Sequence, residues 1–412
     1  VPATLLSTGR SIPIGYLVAA TLARIADEMV AVAIVLLMID RTGSPALAGA
    51  AVTAYTLPSI LSGPVLGAWL DRARRRTLIL AGNEILLAAV ATGLVLTTGH
   101  APIALTLAIT ALAGLTLPMT SGGFTSLLPS LVPAGRVTRA NAVDAAVFNT
   151  ASITGPAVAA AVATAFGSAA AVGLVGITAA VGAVATLSLR VPDRQPADGD
   201  PPPLLTAVRT GLRHLLRTPP LRGATVASAL GLGSVGMLTV ALPLRTEQLG
   251  AGREANGWVW AAIDVGCLVS VLVVGRHLNR WPPERIVFCT VGLYGLVMLS
   301  WPAATSLTGL LGLGFLAGIV NGPTLAALFA ARQRYSPAAL LGQVSTTGAS
   351  LKTGMFALGA ALGGVLTPKL GAGAVLLVMA CAEIASAALG WLATIRFAGR
   401  DATRPADSHD AR

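Results

Sequence analysis

Charge is what this chain has least of. Asp, Glu, Lys and Arg together make up 11% of its 412 residues, against roughly 25% in an ordinary soluble domain. A water-soluble globule of this length needs more polar surface, and a disordered chain needs more charge and fewer apolar residues. Aromatic residues are few, at 4%, which argues against a site that stacks on sugar rings. The three cysteines, Cys267, Cys289 and Cys381, all lie in apolar runs; they read as core residues and not as a disulfide framework. The four histidines, His100, His214, His277 and His409, are scattered without metal-ligand spacing. No metal and no cofactor is expected. Gly231-Leu232-Gly233-Ser234-Val235-Gly236 fits a dinucleotide-binding pattern, but it lies inside an apolar run with no strand before it. There is no phosphate-binding P-loop, so ATP hydrolysis by this chain is not expected. Nor is another enzymatic activity, because no nucleophile stands at motif spacing from a base.

What is present is apolar: 54% of residues, with a mean hydropathy of +0.77. These residues form continuous runs about 20 residues long, the length of a spanning helix. They lack the alternation of a transmembrane β-barrel. Twelve runs can be drawn, near 13–39, 45–69, 77–98, 102–126, 138–165, 168–189, 222–244, 255–275, 285–304, 307–331, 339–366 and 371–396. The expected fold is an all-α polytopic membrane protein in the lipid bilayer. Its 12 transmembrane helices would form two pseudo-symmetric six-helix bundles, 1–190 and 222–397, joined by a linker over 191–221 and followed by a tail over 398–412.

The net charge of +11 reads as membrane orientation and not as affinity for nucleic acid. Of the 28 basic residues, 22 fall on one side of the twelve-run topology, among them Arg332 and Arg334 after the tenth run. Only Arg41, Arg245, Arg253 and Lys369 fall on the other side. This asymmetry predicts a cell-membrane protein with both termini and the linker in the cytoplasm. Within the linker, residues 204–217 predict a helix. Leu205, Val208, Leu212 and Leu216 form its apolar stripe and Arg209, Arg213 and Arg217 its basic one, the pattern of a helix lying at the interface. Trp258, Trp260 and Trp301 stand near the outer ends of runs, where interfacial anchors belong.

The halves repeat. Leu112-Ala113-Gly114-Leu115 matches Leu316-Ala317-Gly318-Ile319, Pro133-Ala134 matches Pro337-Ala338, and Gly155 matches Gly359, all offset by 204. Gly275-Arg276-His277-Leu278-Asn279-Arg280 follows the eighth run as Gly67-Ala68-Trp69-Leu70-Asp71-Arg72 follows the second. Gly63/Gly67, Gly314/Gly318 and Gly359/Gly363 have the spacing that lets helices of one bundle approach closely.

The loop Gly67-Ala68-Trp69-Leu70-Asp71-Arg72-Ala73-Arg74-Arg75-Arg76 has a physical logic of its own. Gly67 permits close helix approach, Asp71 sits at a helix end where it can meet basic residues, and Arg72, Arg75 and Arg76 anchor the loop. It resembles the signature between spans 2 and 3 of the major facilitator superfamily, with Arg74 where that family has a second Gly. The resemblance implies a secondary transporter in which this loop holds the two bundles in one orientation. Residues 11–76 also resemble the drug- and siderophore-exporter branch that includes the enterobactin exporter. Arg24-Ile25-Ala26-Asp27-Glu28-Met29, Thr42-Gly43-Ser44-Pro45 and Pro58 carry that likeness. In the fifth run, Gly155-Pro156-Ala157-Val158-Ala159-Ala160 resembles the antiporter signature of the superfamily, with Ala159 and Ala160 in place of its glycines. Pro156 lacks a backbone donor, so a kink is expected there. The fourth run lacks the intramembrane Arg of many proton-coupled members.

Ionisable residues inside a span are costly and face a cavity or a partner. Arg24, Asp27 and Glu28 can share one helical face. One acid would neutralise Arg24 and leave the other free to titrate. The resemblance favours Asp27 as that coupling carboxyl; a self-contained structural triad is the alternative. Glu84 is expected to pair with the nearby Arg cluster, and Asp144 to have a structural role near a helix end. Asp264, Lys352 and Glu383 lie at mid-depth in the second half, where Lys352 could pair with either acid, permanently or in one state only. The combined reading is proton-coupled export of a hydrophobic or amphiphilic small molecule, a drug or secondary metabolite, by a monomer. A nutrient importer of the same fold and a non-transporting membrane sensor are the alternatives.

Overall fold

The computed structural model describes residues 12–192, 203–274 and 280–395. These fold into α1 (Ile14–Thr42), α2 (Pro45–Arg72), α3 (Arg76–Thr97), α4 (Ile103–Pro118), α5 (Phe124–Leu131), α6 (Val137–Phe166), α7 (Ser168–Leu187), α8 (Leu204–Arg217), α9 (Pro219–Gly236), α10 (Leu238–Gln248), α11 (Asn256–Val274), α12 (Pro283–Met298), α13 (Leu307–Tyr335), α14 (Leu341–Leu370) and α15 (Ala372–Ile395). A π-helical turn, Met119–Gly123, joins α4 to α5 in one span. A bend of 42° separates α9 from α10, which together make another. With α8 set aside, twelve spans result. Ten of these, counting the bent pair as one, are long and apolar enough to cross a bilayer by composition. The other two, α1 and α2, are 29 and 28 residues long. Charges at Arg24, Asp27 and Glu28 interrupt α1, and Pro58 and Pro64 lie inside α2.

Local sequence sets the reversals between antiparallel neighbours. Gly43 ends α1 with φ 65°, a left-handed conformation that costs Gly little, and its N–H bonds to Ile39 O. Ser44 then caps α2, its side chain accepting the Leu47 N–H at 3.3 Å. Gly167 between α6 and α7 (φ 93°) and Gly371 between α14 and α15 (φ 81°) make equivalent reversals in the two halves.

The sequence repeat is a structural repeat. Ile103–Leu131 corresponds to Leu307–Tyr335, and Val137–Phe166 to Leu341–Leu370, each end displaced by 204. Each half has its own core. Met29, Leu37, Val90 and Val175 contribute to the first, and Leu242, Ile263, Met298 and Met379 to the second. The outer surface carries large apolar side chains, such as Leu61, Val184, Leu272 and Val365, as a surface facing lipid requires.

The halves meet chiefly through α2 on α14 and α6 on α11 and α13. Gly63 and Gly67 sit against Thr346, Ser350 and Gln343 of α14. They therefore serve contact between the halves, not within one. Gly314 and Gly318 pack on Val259 and Ile263, and Gly359 and Gly363 on Gly233 and Met237, within the second half as expected.

Two expectations need correction. Trp301 is fully buried in the second core and is not an interfacial anchor, whereas Trp258 is exposed. Cys289 and Cys381 are exposed and only Cys267 is buried. The linker helix α8 forms over Leu204–Arg217, with Leu205 and Leu216 of its apolar stripe exposed and Gly211 and Leu215 facing the protein. There Gln343 Nε2 donates to Val208 O at 2.7 Å, and His214 Nε2 lies 2.9 Å from Tyr335 O. The loop residues 275–279, the linker residues 193–202 and the tail fall outside the described residues.

Candidate functional site

Arg24 does not pair with the acids on its own helix. Its guanidinium meets Asp144 of α6 with both terminal nitrogens, Nη1 to Oδ1 at 2.9 Å and Nη2 to Oδ2 at 3.0 Å. Nη1 also donates to the Asp144 backbone O at 3.0 Å. Tyr16 Oη and Thr125 Oγ1 each donate to the Asp144 carboxylate at 2.8 Å. Both charged side chains are almost wholly buried. Arg24 Nε has no hydrogen-bond partner, but the forked contact and the added donors on Asp144 are what make this buried charge tolerable. Among the described residues neither Asp27 nor Glu28 forms an ion pair with Arg24 within 4.0 Å, although the Arg24 charge still acts on Glu28.

That leaves the acids of α1 without Arg24. The Asp27 carboxyl accepts a long hydrogen bond of 3.3 Å from Tyr55 Oη. Glu28 is half-buried and faces Asp264 of α11, across the boundary between the halves, closely enough for their charges to interact. Among the described residues, no basic group lies within 4.0 Å of Asp27, Glu28 or Asp264. Gly155 sits directly behind this cluster. A Cβ built on it would lie 2.7 Å from Glu28 Cβ, so α6 can approach α1 here only because residue 155 lacks a side chain. Pro156 lies inside α6, which continues through it to Phe166.

A cavity of about 260 Å³ opens beside the inter-half boundary. Its walls come mostly from the second half, with Ser121 and Gly122 of the π turn and Phe148 and Asn149 of α6 closing it from the first. Lys352, Arg332 and Glu383 bring charge to an otherwise largely apolar lining that includes Leu232, Val235, Leu328 and Phe329. Lys352 makes no ion pair with either acid: among the described residues, Asp264 and Glu383 are both beyond 4.0 Å from it. Arg332 is not a loop charge. It is 3% exposed and donates only from Nη1, to Ser345 O at 3.3 Å, while Nε and Nη2 have no hydrogen-bond partner.

Glu84 does not reach the Arg cluster. It is buried between α3 and α7 and accepts from Thr186 Oγ1 at 3.0 Å. Asp71 bonds at its helix end to backbone of the other half. Its Oδ1 and Oδ2 accept the N–H groups of Gly342 and Gln343 at 2.9 and 2.8 Å. Those are first-turn donors of α14, where the helix dipole favours an anion. Thr346 Oγ1 donates to Gly63 O at 2.6 Å, and Asn141 and Gln333 exchange bonds of 2.8 and 2.9 Å. All the described hydrogen bonds between the halves lie from mid-depth towards this end, which also carries Arg72, Arg75 and Arg76; it is termed the basic end.

The family model of the Major Facilitator Superfamily matches residues 16–353. The chain belongs to the major facilitator superfamily. An uncharacterized MFS-type transporter, y4rN of Sinorhizobium fredii, is 32% identical over 360 residues, covering 85% of this chain and 87% of the relative. Among solved structures, a bacterial homologue of the iron transporter ferroportin in its outward-facing state aligns with a TM-score of 0.74 at 16% identity, covering 95% of this chain and all of that one. The human organic anion transporter MFSD10 aligns at 0.74 and 15% identity, over 92% of this chain and 98% of that one. The proton:xylose symporter XylE aligns at 0.70 and 12%, over 92% and 95%. At such identities these structures speak for the fold alone.

Within a major facilitator fold the positions acquire a context. The Asp71 loop and the π turn of the fourth span both bear on α14: Gly122 lies against the Ser345 and Thr346 backbone. Sequence reasoning missed Arg332 and the π turn. The signal for the turn was Ser121-Gly122-Gly123 in mid-span, small residues where backbone approaches backbone.

Proposed function

We propose that this superfamily member is a secondary transporter that exports an amphiphilic small molecule in exchange for protons. The two halves rock about the cavity, and the protein works as a monomer. One observation carries the reading. Glu28 of the first half and Asp264 of the second are near enough for their charges to interact, and among the described residues neither they nor Asp27 has a cation within 4.0 Å, because Arg24 is engaged by Asp144. Carboxyls that lack a counter-charge at a moving boundary are placed to exchange protons as their surroundings change. Glu28 and Asp264 belong to opposite halves, so rocking changes their mutual distance directly.

The charge bias supports an orientation with the basic end and both termini on the cytoplasmic side of a cell membrane. In that orientation the Asp71, Thr346 and Gln333 contacts close the cytoplasmic side, and substrate would leave from the other. An inward proton-motive force supplies about 2.3 kcal/mol per proton per 100 mV. The apolar cavity walls with a few polar groups suit a molecule with a greasy body. The exporter-like stretch from Ser11 to Arg76 and the Gly155-Pro156 segment agree with outward transport.

The test is proton/substrate exchange in inside-out vesicles with a panel of amphiphilic compounds, comparing wild type with Asp27→Asn and Glu28→Gln. Substrate-driven proton release that both variants weaken is expected. The reading fails if no compound drives proton movement. Accumulation in right-side-out vesicles under an inward proton gradient would point to an importer instead.

A further inference from the structure

The repeat exposes an imbalance between the halves. Position 144 in α6 corresponds to position 348 in α14, since the two helices begin and end 204 residues apart. In the first half an arginine reaches that position and finds Asp144. In the second half an arginine also reaches it and finds Gly348: a Cβ built there would collide with the Arg332 guanidinium. The acid that neutralises the first arginine has no counterpart at the second.

Lys352 stands on α14 one helical turn beyond Gly348, a rise of about 6 Å. Two cationic side chains thus line one cavity a turn apart, with Lys352 the more accessible and Arg332 buried behind it. Among the described residues, the charged groups facing this cavity from its other walls amount to Glu383 of α15. Its carboxyl lies against Gly231 and is more than 4.0 Å from either cation. Even with Glu383 ionised, the lining carries an excess positive charge. A positive excess buried in the bundle is costly unless an anion completes it. The rest of the lining is mainly apolar, with Phe148, Leu232, Val235 and Phe329 on it, and adds uncharged polar groups such as Asn149 and Asn321 but no further charge.

We propose that the cavity takes the anionic group of the transported molecule, a carboxylate, sulfonate or phosphate on an apolar body. Lys352 makes the contact, and Arg332, one turn deeper, is the fixed charge behind it. This rests on the transporter reading and names the substrate class that reading leaves open.

Equilibrium binding to the purified full chain in detergent tests it, because binding needs neither transport nor a proton gradient. The probes are one naphthyl fluorophore in three matched forms: a carboxylate, its methyl ester and a trimethylammonium analogue. The carboxylate should bind tightest. Lys352→Gln should weaken it about ten-fold or more, the scale of one charged hydrogen bond, and leave the ester unchanged. Lys352→Arg should restore most of the affinity. Gly348→Asp, which places an acid against Arg332 as Asp144 stands against Arg24, should also weaken the carboxylate selectively. If Gly348→Asp does not fold, the Lys352 pair of variants decides. Equal binding of the three forms, preference for the ammonium form, no binding by any form, or an equal loss of carboxylate and ester in Lys352→Gln would overturn the proposal. Ester or ammonium compounds that nevertheless exchange for protons in vesicles would leave the transporter reading standing without it.

Discussion

The Asp71 carboxylate accepts the backbone N–H of Gly342 at 2.9 Å, across 271 residues of sequence. The bond joins the last turn of α2 to the first turn of α14 and so ties one half to the other at the basic end. It is a charge-to-dipole contact, weaker in any state that parts the halves there. Asp71→Asn keeps the shape and one acceptor but removes the charge. It should cost about 1–3 kcal/mol of the closed arrangement. Spin labels at the exposed positions Leu78 and Arg334 should then show a larger population of long distances than wild type. An unchanged distance distribution would count against a holding role for Asp71.

Arg24 and Asp144 form a pair that single substitution should damage badly. Removing one partner leaves the other buried and unpaired, at a cost of about 3–5 kcal/mol. Arg24→Gln or Asp144→Asn should therefore lower the unfolding midpoint in detergent markedly. The double variant removes both charges and should recover much of the loss. Stabilities that simply add would show that the two groups are not coupled in this way.

Gly155 can be tested by size alone. Gly155→Ala puts a methyl group 2.7 Å from Glu28 Cβ, so α6 must move away from α1. Overpacking of this kind costs about 1–3 kcal/mol. Gly173→Ala in α7 is the control. Nothing lies within 4 Å of its new Cβ, and alanine favours a helix by up to about 1 kcal/mol over glycine. Thermal unfolding should fall for the first and hold or rise for the second.

What could be read from the sequence, and what could not, follows from how far each interaction reaches. The spans were legible because a bilayer demands about twenty apolar residues in a row. The repeat was legible because both halves kept small residues where helices touch. The partner of Arg24 was not, since Asp144 is 120 residues away while Asp27 and Glu28 are one turn away. Local spacing favoured the wrong acids. Arg332 was hidden for a geometric reason. It lies in the last turn of α13, where the chain leaves the apolar run, and so counted as a loop charge. Helical side chains lean towards their own N-terminus, which carries this long one back into the bundle against Gly348. Asp71 was found at its helix end because the loop pattern is local, but its contact with a distant backbone leaves no mark in composition.

Glu28 and Glu84 give the sharpest comparison, since both are glutamates within spans of the first half. Glu84 lies inside that half, between α3 and α7, with Thr186 as its donor. Its surroundings stay fixed when the halves rock as rigid bodies. Glu28 lies at the boundary facing Asp264 of the other half, so its surroundings change. Glu84→Gln, which keeps an acceptor for Thr186, should leave proton-coupled exchange close to wild type. Glu28→Gln should reduce it at least about ten-fold, equivalent to losing roughly 1.4 kcal/mol of coupling. Exchange of substrate for substrate, which moves no net proton, should survive in both. The measurement is proton release and labelled-substrate counterflow on the same vesicles. Equal effects of the two substitutions would mean that position relative to the boundary does not select the coupling carboxyl.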